Sequence, residues 1–160
     1  MNFCEKKLQK GFTLAELIIS IAIITVISAI GFANLGGRRD KQEVNLEAEK
    51  IVAYLREARE RSIAGQDNSS WGIYFVNVAN GNDYYNLFKG LSFSSDTIVE
   101  THFLSPKVQL LIPPVNSTTD VIFNKELGNI NAPKSITIQS VISPEFSSTI
   151  EINTLGQINY

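Results

Sequence analysis

From Leu17 to Gly37 the chain runs for 21 residues without a single charge. Wound as a helix at ~1.5 Å per residue, that run is ~31 Å long, close to the ~30 Å hydrocarbon core of a bilayer. A helix that is apolar on every side must be buried in a large interior or in lipid. A chain of 160 residues offers little interior for the first choice, so the run reads as a membrane span. The rest of the composition is that of a globular protein, 44% hydrophobic and 19% charged, so one folded domain of modest size is expected beyond it.

The first ten residues are basic, with Lys6, Lys7 and Lys10 against Glu5. This bias favours a cytoplasmic N-terminus, although Arg38, Arg39 and Lys41 flank the other side. A secretory signal peptide is cut after its apolar region. Here the small residue, Gly11, precedes the apolar region. A cut at Gly11 removes the basic head, keeps the apolar helix and leaves a new amine on Phe12. Glu16 lies four residues on, at the edge of the span. A carboxylate at the bilayer centre costs roughly 2.5–3.5 kcal/mol, less near a helix end, and still favours a partner. Two readings stand: Glu16 pairs with the Phe12 amine of its own or a neighbouring chain, setting the stagger of packed helices, or it sits at the membrane surface.

The stretch "KGFTLAELIISIAIITVISAI" resembles the N-terminal signal of type IV pilins and type II secretion pseudopilins, with Gly11, Phe12, Thr13, Leu14 and Glu16 on the motif. The resemblance implies that a prepilin peptidase cuts between Gly11 and Phe12 and methylates the Phe12 amine. It also implies that Glu16 recruits the subunit by neutralising a neighbour's Phe12 amine. Many relatives carry proline where this chain has Ala33, leaving Gly31 and Gly36-Gly37 as the points where the helix can loosen.

Beyond Gly37 the pattern turns amphipathic. Val44, Ala48, Ile51, Leu55, Ala58 and Ser62 recur at steps of three and four, flanked by Leu46 and Val52. Glu47, Lys50, Glu57, Glu60 and Arg61 are expected on the solvent face, with "REARERS" paired along the helix surface. Gly65 is the expected C-terminal stop. From Trp71 the chain reads as strands: "WGIYFVNV", the turn "ANGND" and "YYNLF" form a hairpin. Further strands are expected at 97–103, 108–112, 121–124, 135–140 and 149–153, and in "TLGQINY", punctuated by five prolines. The fold class is α+β: a long N-terminal helix whose amphipathic half packs on an antiparallel sheet. The expected divisions are a leader over 1–11, a span over 12–37, an amphipathic helix over 38–65 and a β domain over 66–160.

Four segments of this region resemble H-type pseudopilins and FimT-like minor pilins. They are "LREARERSIAG", "FLSPKVQL", "IFNKELGNI" and "STIEINTLGQI". The turn at Pro106-Lys107-Val108 lacks the glycine common in those proteins.

No catalytic residues, metal site or cofactor are expected. His102 is the sole histidine and Cys4 the sole cysteine, which rules out a zinc set. Asp67, Asp83, Asp96 and Asp120 fall in loops but without calcium-loop spacing. Removing the head would leave 11 basic against 15 acidic residues. Lys89, Lys107, Lys125 and Lys134 are scattered, so a nucleic-acid binder serving DNA uptake is the lesser reading. The resemblance implies a structural subunit whose partners are the prepilin peptidase, other pilin or pseudopilin subunits, an inner-membrane assembly platform and, before assembly, lipid. It also implies a single-pass cytoplasmic-membrane protein with its β domain outside, passing into a periplasmic or surface filament.

Overall fold

The computed structural model describes the backbone from Gly11 to Tyr160 except at residue 34, and the side chains of residues 11–28 and 38–160. The basic head, with Lys6, Lys7, Lys10 and Cys4, lies outside the described residues. The chain divides into two compact units, Met1–Gly36 and Gly37–Tyr160.

In the first unit, helix α1 spans Leu14–Ala33. Its side chains from Leu14 to Ser28 are all exposed, including Leu17, Ile18, Ile21, Ile24 and Ile27 on every side of the helix. The hydroxyls within this apolar surface are satisfied locally. Ser20 donates to the Glu16 carbonyl, Thr25 to Ala22 and Ser28 to Ile24, at 2.7–2.8 Å. The polar groups thus turn back onto the helix itself, as a helix in hydrocarbon requires. Among the described residues no helix is long and apolar enough to cross a membrane. The side chains of residues 29–37, which would complete the charge-free run, are outside the description.

In the second unit, helix α2 (Leu35–Ile63) is followed by eight strands: β1 Trp71–Val76, β2 Tyr84–Lys89, β3 Ile98–Phe103, β4 Val108–Ile112, β5 Thr118–Phe123, β6 Lys134–Ser140, β7 Ser147–Ile152 and β8 Ile158–Asn159. The architecture is α+β with antiparallel pairing throughout. The expected hairpin is β1–β2, with Val76 opposite Tyr84 across the turn. The expected single sheet is instead two four-stranded sheets, ordered β3-β2-β1-β5 and β4-β6-β7-β8.

The apolar stripe of α2 closes onto both sheets. Val44, Ala48, Ile51, Val52, Leu55 and Ala58 join Trp71, Ile73, Phe75, Leu87, Val121 and Phe123 of one sheet and Leu110, Ile136, Ile138, Ile150 and Ile152 of the other in one buried cluster. Alternation along the strands explains the sorting, since residues two apart share a face. Two expectations for the helix fail. Leu46 is 51% exposed and Glu47 only 5%. Adjacent residues on a helix differ by ~100°, and the buried arc is centred on the side of Val44, Ala48 and Ile51, which takes in position 47 and leaves out 46. Glu47 keeps its charge compensated by Lys50 Nζ at 2.8 Å. The helix ends as expected, with Gly65 left-handed at φ 62°.

Candidate functional site

Three groupings of polar residues stand out, one in the N-terminal unit and two in the β domain.

At the start of α1, Thr13 and Glu16 form a reciprocal cap. The Glu16 carboxylate accepts from the Thr13 N–H at 3.0 Å and from its hydroxyl at 2.9 Å, and the Thr13 hydroxyl accepts from the Glu16 N–H at 3.2 Å. The Thr-x-x-Glu spacing that encodes such a box is visible in the sequence. The local role is to satisfy N–H groups of the first helical turn that would otherwise lack partners. Gly11 and Phe12 precede this cap, exposed and outside any helix or strand. Nothing within 4 Å would meet a side chain at Gly11.

The second grouping explains why three of the four β-domain segments singled out above matter together. Arg59 of "LREARERSIAG" donates its Nε–H to the carbonyl of Gly128, in "IFNKELGNI", at 3.1 Å. Gly156 of "STIEINTLGQI" lies against that same carbonyl: a Cβ on Gly156 would stand 2.0 Å from the Gly128 oxygen and 2.9 Å from Arg59 Nε. Gly156 is also left-handed, at φ +74°. Helix α2, the turn after β5 and the turn after β7 therefore meet backbone to backbone, with a guanidinium as the clasp. Nothing in the spacing reveals this, because Arg59 and Gly128 are 69 residues apart. Gly156→Ala combines that clash with the cost of a left-handed Cβ, about 1–2 kcal/mol. We expect it to lower stability by about 3 kcal/mol or more, read as a fall in the thermal midpoint by circular dichroism. An unchanged midpoint would mean the turns separate freely.

The third grouping joins the two sheets. Asp83 lies in a loop, as expected, and is buried there. Its carboxylate accepts from the N–H groups of Val78 at 2.7 Å and Leu110 at 2.6 Å. Asn77, on the other side of the same turn, donates to the carbonyls of Leu110 and Pro113, both at 2.8 Å. Both backbone groups of Leu110 on edge strand β4 are thus taken by the β1–β2 turn. The bracket fixes β4 to the first sheet and closes that edge to further pairing at this point. Asp83 is a structural acceptor here rather than a cation ligand. Among the described residues there is no cluster of three or more metal-binding side chains.

His102 packs against Tyr54 of α2 with the rings tilted by 34° and their centres 4.0 Å apart, and contacts Glu100 at 3.1 Å. It ties β3 to the helix in a half-buried position. Burial raises the pKa of the nearby Tyr85 phenol, helped by the negative charge of Glu47 and by Tyr54. Tyr54 is raised too, first by burial and then by Glu100 and Glu57, against Lys50. The "REARERS" segment is more than a solvated face. Arg61 pairs with Glu57 as expected, but its guanidinium also lies 4.8 Å from the centre of the Trp71 ring.

The scattered lysines each have a carboxylate at hand: Lys89 with Asp67 at 3.6 Å, Lys107 with Glu43 at 3.9 Å, Lys125 with Glu126 at 3.3 Å and Lys134 with Asp120 at 3.5 Å.

Residues 6–32 match the family described as the prokaryotic N-terminal methylation motif. The match supports the type IV pilin and pseudopilin superfamily, whose members are structural proteins. The motif implies processing by a prepilin peptidase, anchoring in a membrane and assembly with other pilins. No curated protein and no solved structure matches the chain.

Proposed function

We propose that this chain is a low-abundance structural subunit of a type II secretion or type IV pilus-like filament, most similar to H-type pseudopilins and FimT-like minor pilins. The observation that carries the reading is the N-terminal motif over residues 6–32 at the head of an exposed apolar helix. In this reading residues 1–11 are a leader cut between Gly11 and Phe12, and Phe12 is methylated. Residues 12–37 anchor the subunit in the membrane and later pack in the filament core, and Glu16 neutralises a neighbour's Phe12 amine. Residues 38–65 and 66–160 form the domain displayed outside the cytoplasmic membrane. Arg59, Gly128 and Gly156, which meet in the fold, lie in three of the four segments on which we base the subfamily reading.

The experiment is to shear or extract the filament from the native host and quantify its subunits by mass spectrometry. The chain should be present well below the major subunit. Its confinement to the membrane fraction under conditions of filament assembly would count against the proposal.

DNA uptake receives no support from Lys89, Lys107, Lys125 and Lys134. Duplex binding depends on uncompensated cations, and the four scattered lysines are each paired. The detergent-solubilised chain should bind duplex DNA no more tightly than about 10⁻⁴ M at physiological salt. Low-micromolar binding that falls steeply with salt would reverse the ranking.

A further inference from the structure

The membrane-proximal end of the Gly37–Tyr160 unit carries two features from distant parts of the chain. On α2, Arg38, Arg39 and Lys41 are exposed, and no carboxylate among the described residues pairs with them. The acidic residues between and beyond them are occupied. Asp40 accepts from the Ser143 hydroxyl at 2.8 Å, and Glu43 from the Ser105 hydroxyl at 2.7 Å. The Asp40–Ser143 bond joins positions 103 residues apart. It holds the turn after β6 beside the first turns of α2. The tip of that turn is apolar and turned outward: Ile142 is 66% exposed and Val141 is exposed beside it. The turn is firmly built, with Ile142 and Ser143 N–H groups both donating to the Ser140 hydroxyl and Val141 N–H donating to the Lys107 carbonyl at 2.8 Å. Its one acidic residue, Glu145, is set against three free cations.

We propose that this end of the domain is a docking face for an anionic bilayer surface, with Arg38, Arg39 and Lys41 on the headgroups and Ile142 inserted at the interface. The proposal rests on the membrane-anchored reading above. Two observations choose lipid over a protein groove. The first is charge: Arg38, Arg39 and Lys41 outnumber Asp40 and Glu43, and the Asp40–Ser143 bond sets this net-positive stretch beside an apolar tip, the mixed surface that binds acidic interfaces. The second is chain length. Asp40 follows Gly37, the end of the charge-free run, by three residues, so at ~3.6 Å per residue it lies within ~11 Å of the run's end. The Asp40–Ser143 bond passes that constraint to the turn. Before assembly, docking holds the domain against the membrane from which it is drawn. Entry into a filament would then require its release, so anionic lipid content sets how readily the subunit leaves.

The test uses the full chain with Cys4→Ser, carrying one bimane-labelled cysteine at a time, in nanodiscs containing nitroxide lipid. The positions are Ile142, Leu91 and Ile24. Leu91 is 82% exposed and belongs to the other end of α2: Gly90 N–H donates to Ser70, and the neighbouring Trp71 N–H donates to Ser62. That end is ~33 Å from Asp40 along the helix. With about a third of the lipid anionic, quenching at 142 should exceed that at 91 by roughly threefold, and Arg38→Gln, Arg39→Gln and Lys41→Gln together should remove most of the excess. Strong quenching at 24 with equal, weak quenching at 142 and 91 would overturn the docking face and leave the anchored reading standing. Quenching at 142 that ignores both lipid charge and the three substitutions would also overturn it. Absence of quenching at 24 would remove the anchored reading, and the docking face with it.

Discussion

Leu55→Asp unfolds the β domain, whereas Leu46→Asp, nine residues earlier on the same helix, leaves it folded. Leu55 is 0% exposed and sits in the cluster that α2 shares with both sheets. Among the described residues no lysine or arginine is buried. A carboxylate there loses its water without gaining a counter-ion, which costs several kcal/mol on top of about 2 kcal/mol of lost apolar burial. Small domains are stable by only about 5–15 kcal/mol in all. Leu46 already faces solvent, so its replacement should change stability by less than about 0.5 kcal/mol. Circular dichroism melts of the two variants read the contrast directly. Equal midpoints would mean that the buried arc of α2 has been placed on the wrong side.

Glu16→Ala abolishes incorporation into filaments while leaving the chain in the membrane and its leader cleaved. Insertion is unharmed or slightly improved, because a carboxylate near hydrocarbon is removed. Between packed helices, a Phe12 ammonium without its carboxylate is an unpaired buried charge, worth about 3–5 kcal/mol, or at least a hundredfold in assembly. The local cap complicates the phenotype in a useful way. Glu16 also accepts from Thr13, so Glu16→Gln keeps a capping acceptor while losing the charge. If Glu16→Gln assembles as the parent does, the carboxylate acts only as a cap. If it fails as Glu16→Ala fails, the charge is what assembly needs. Filament-bound chain, measured against total membrane chain by immunoblot, separates the two.

The period of apolar residues was enough to place α2 and its core stripe, because helical burial follows a repeat that one line of sequence displays. The hairpin of β1 and β2 was legible for the same reason, with "ANGND" between two runs of β-branched and aromatic residues. The edges of the pattern were not. Leu46 and Glu47 exchanged roles because the width of the buried arc depends on how two sheets close around the helix, which a period does not state. The sequence places Asp83 in a loop but does not show its burial, because its partner Leu110 lies 27 residues away on the other sheet. The clasp of Arg59 on Gly128 and Gly156 was present only as three separate local likenesses. The cap on α1 was different, since Thr13 and Glu16 spell it openly.

The proposed function stands on cleavage between Gly11 and Phe12, and the mass and N-terminal sequence of the chain isolated from native membranes test it most directly. The account predicts a chain that begins at Phe12, has lost Met1 to Gly11, and carries one added methyl group on the terminal amine. A chain that retains the basic head, or one cut after the apolar helix so that α1 is lost, would contradict it.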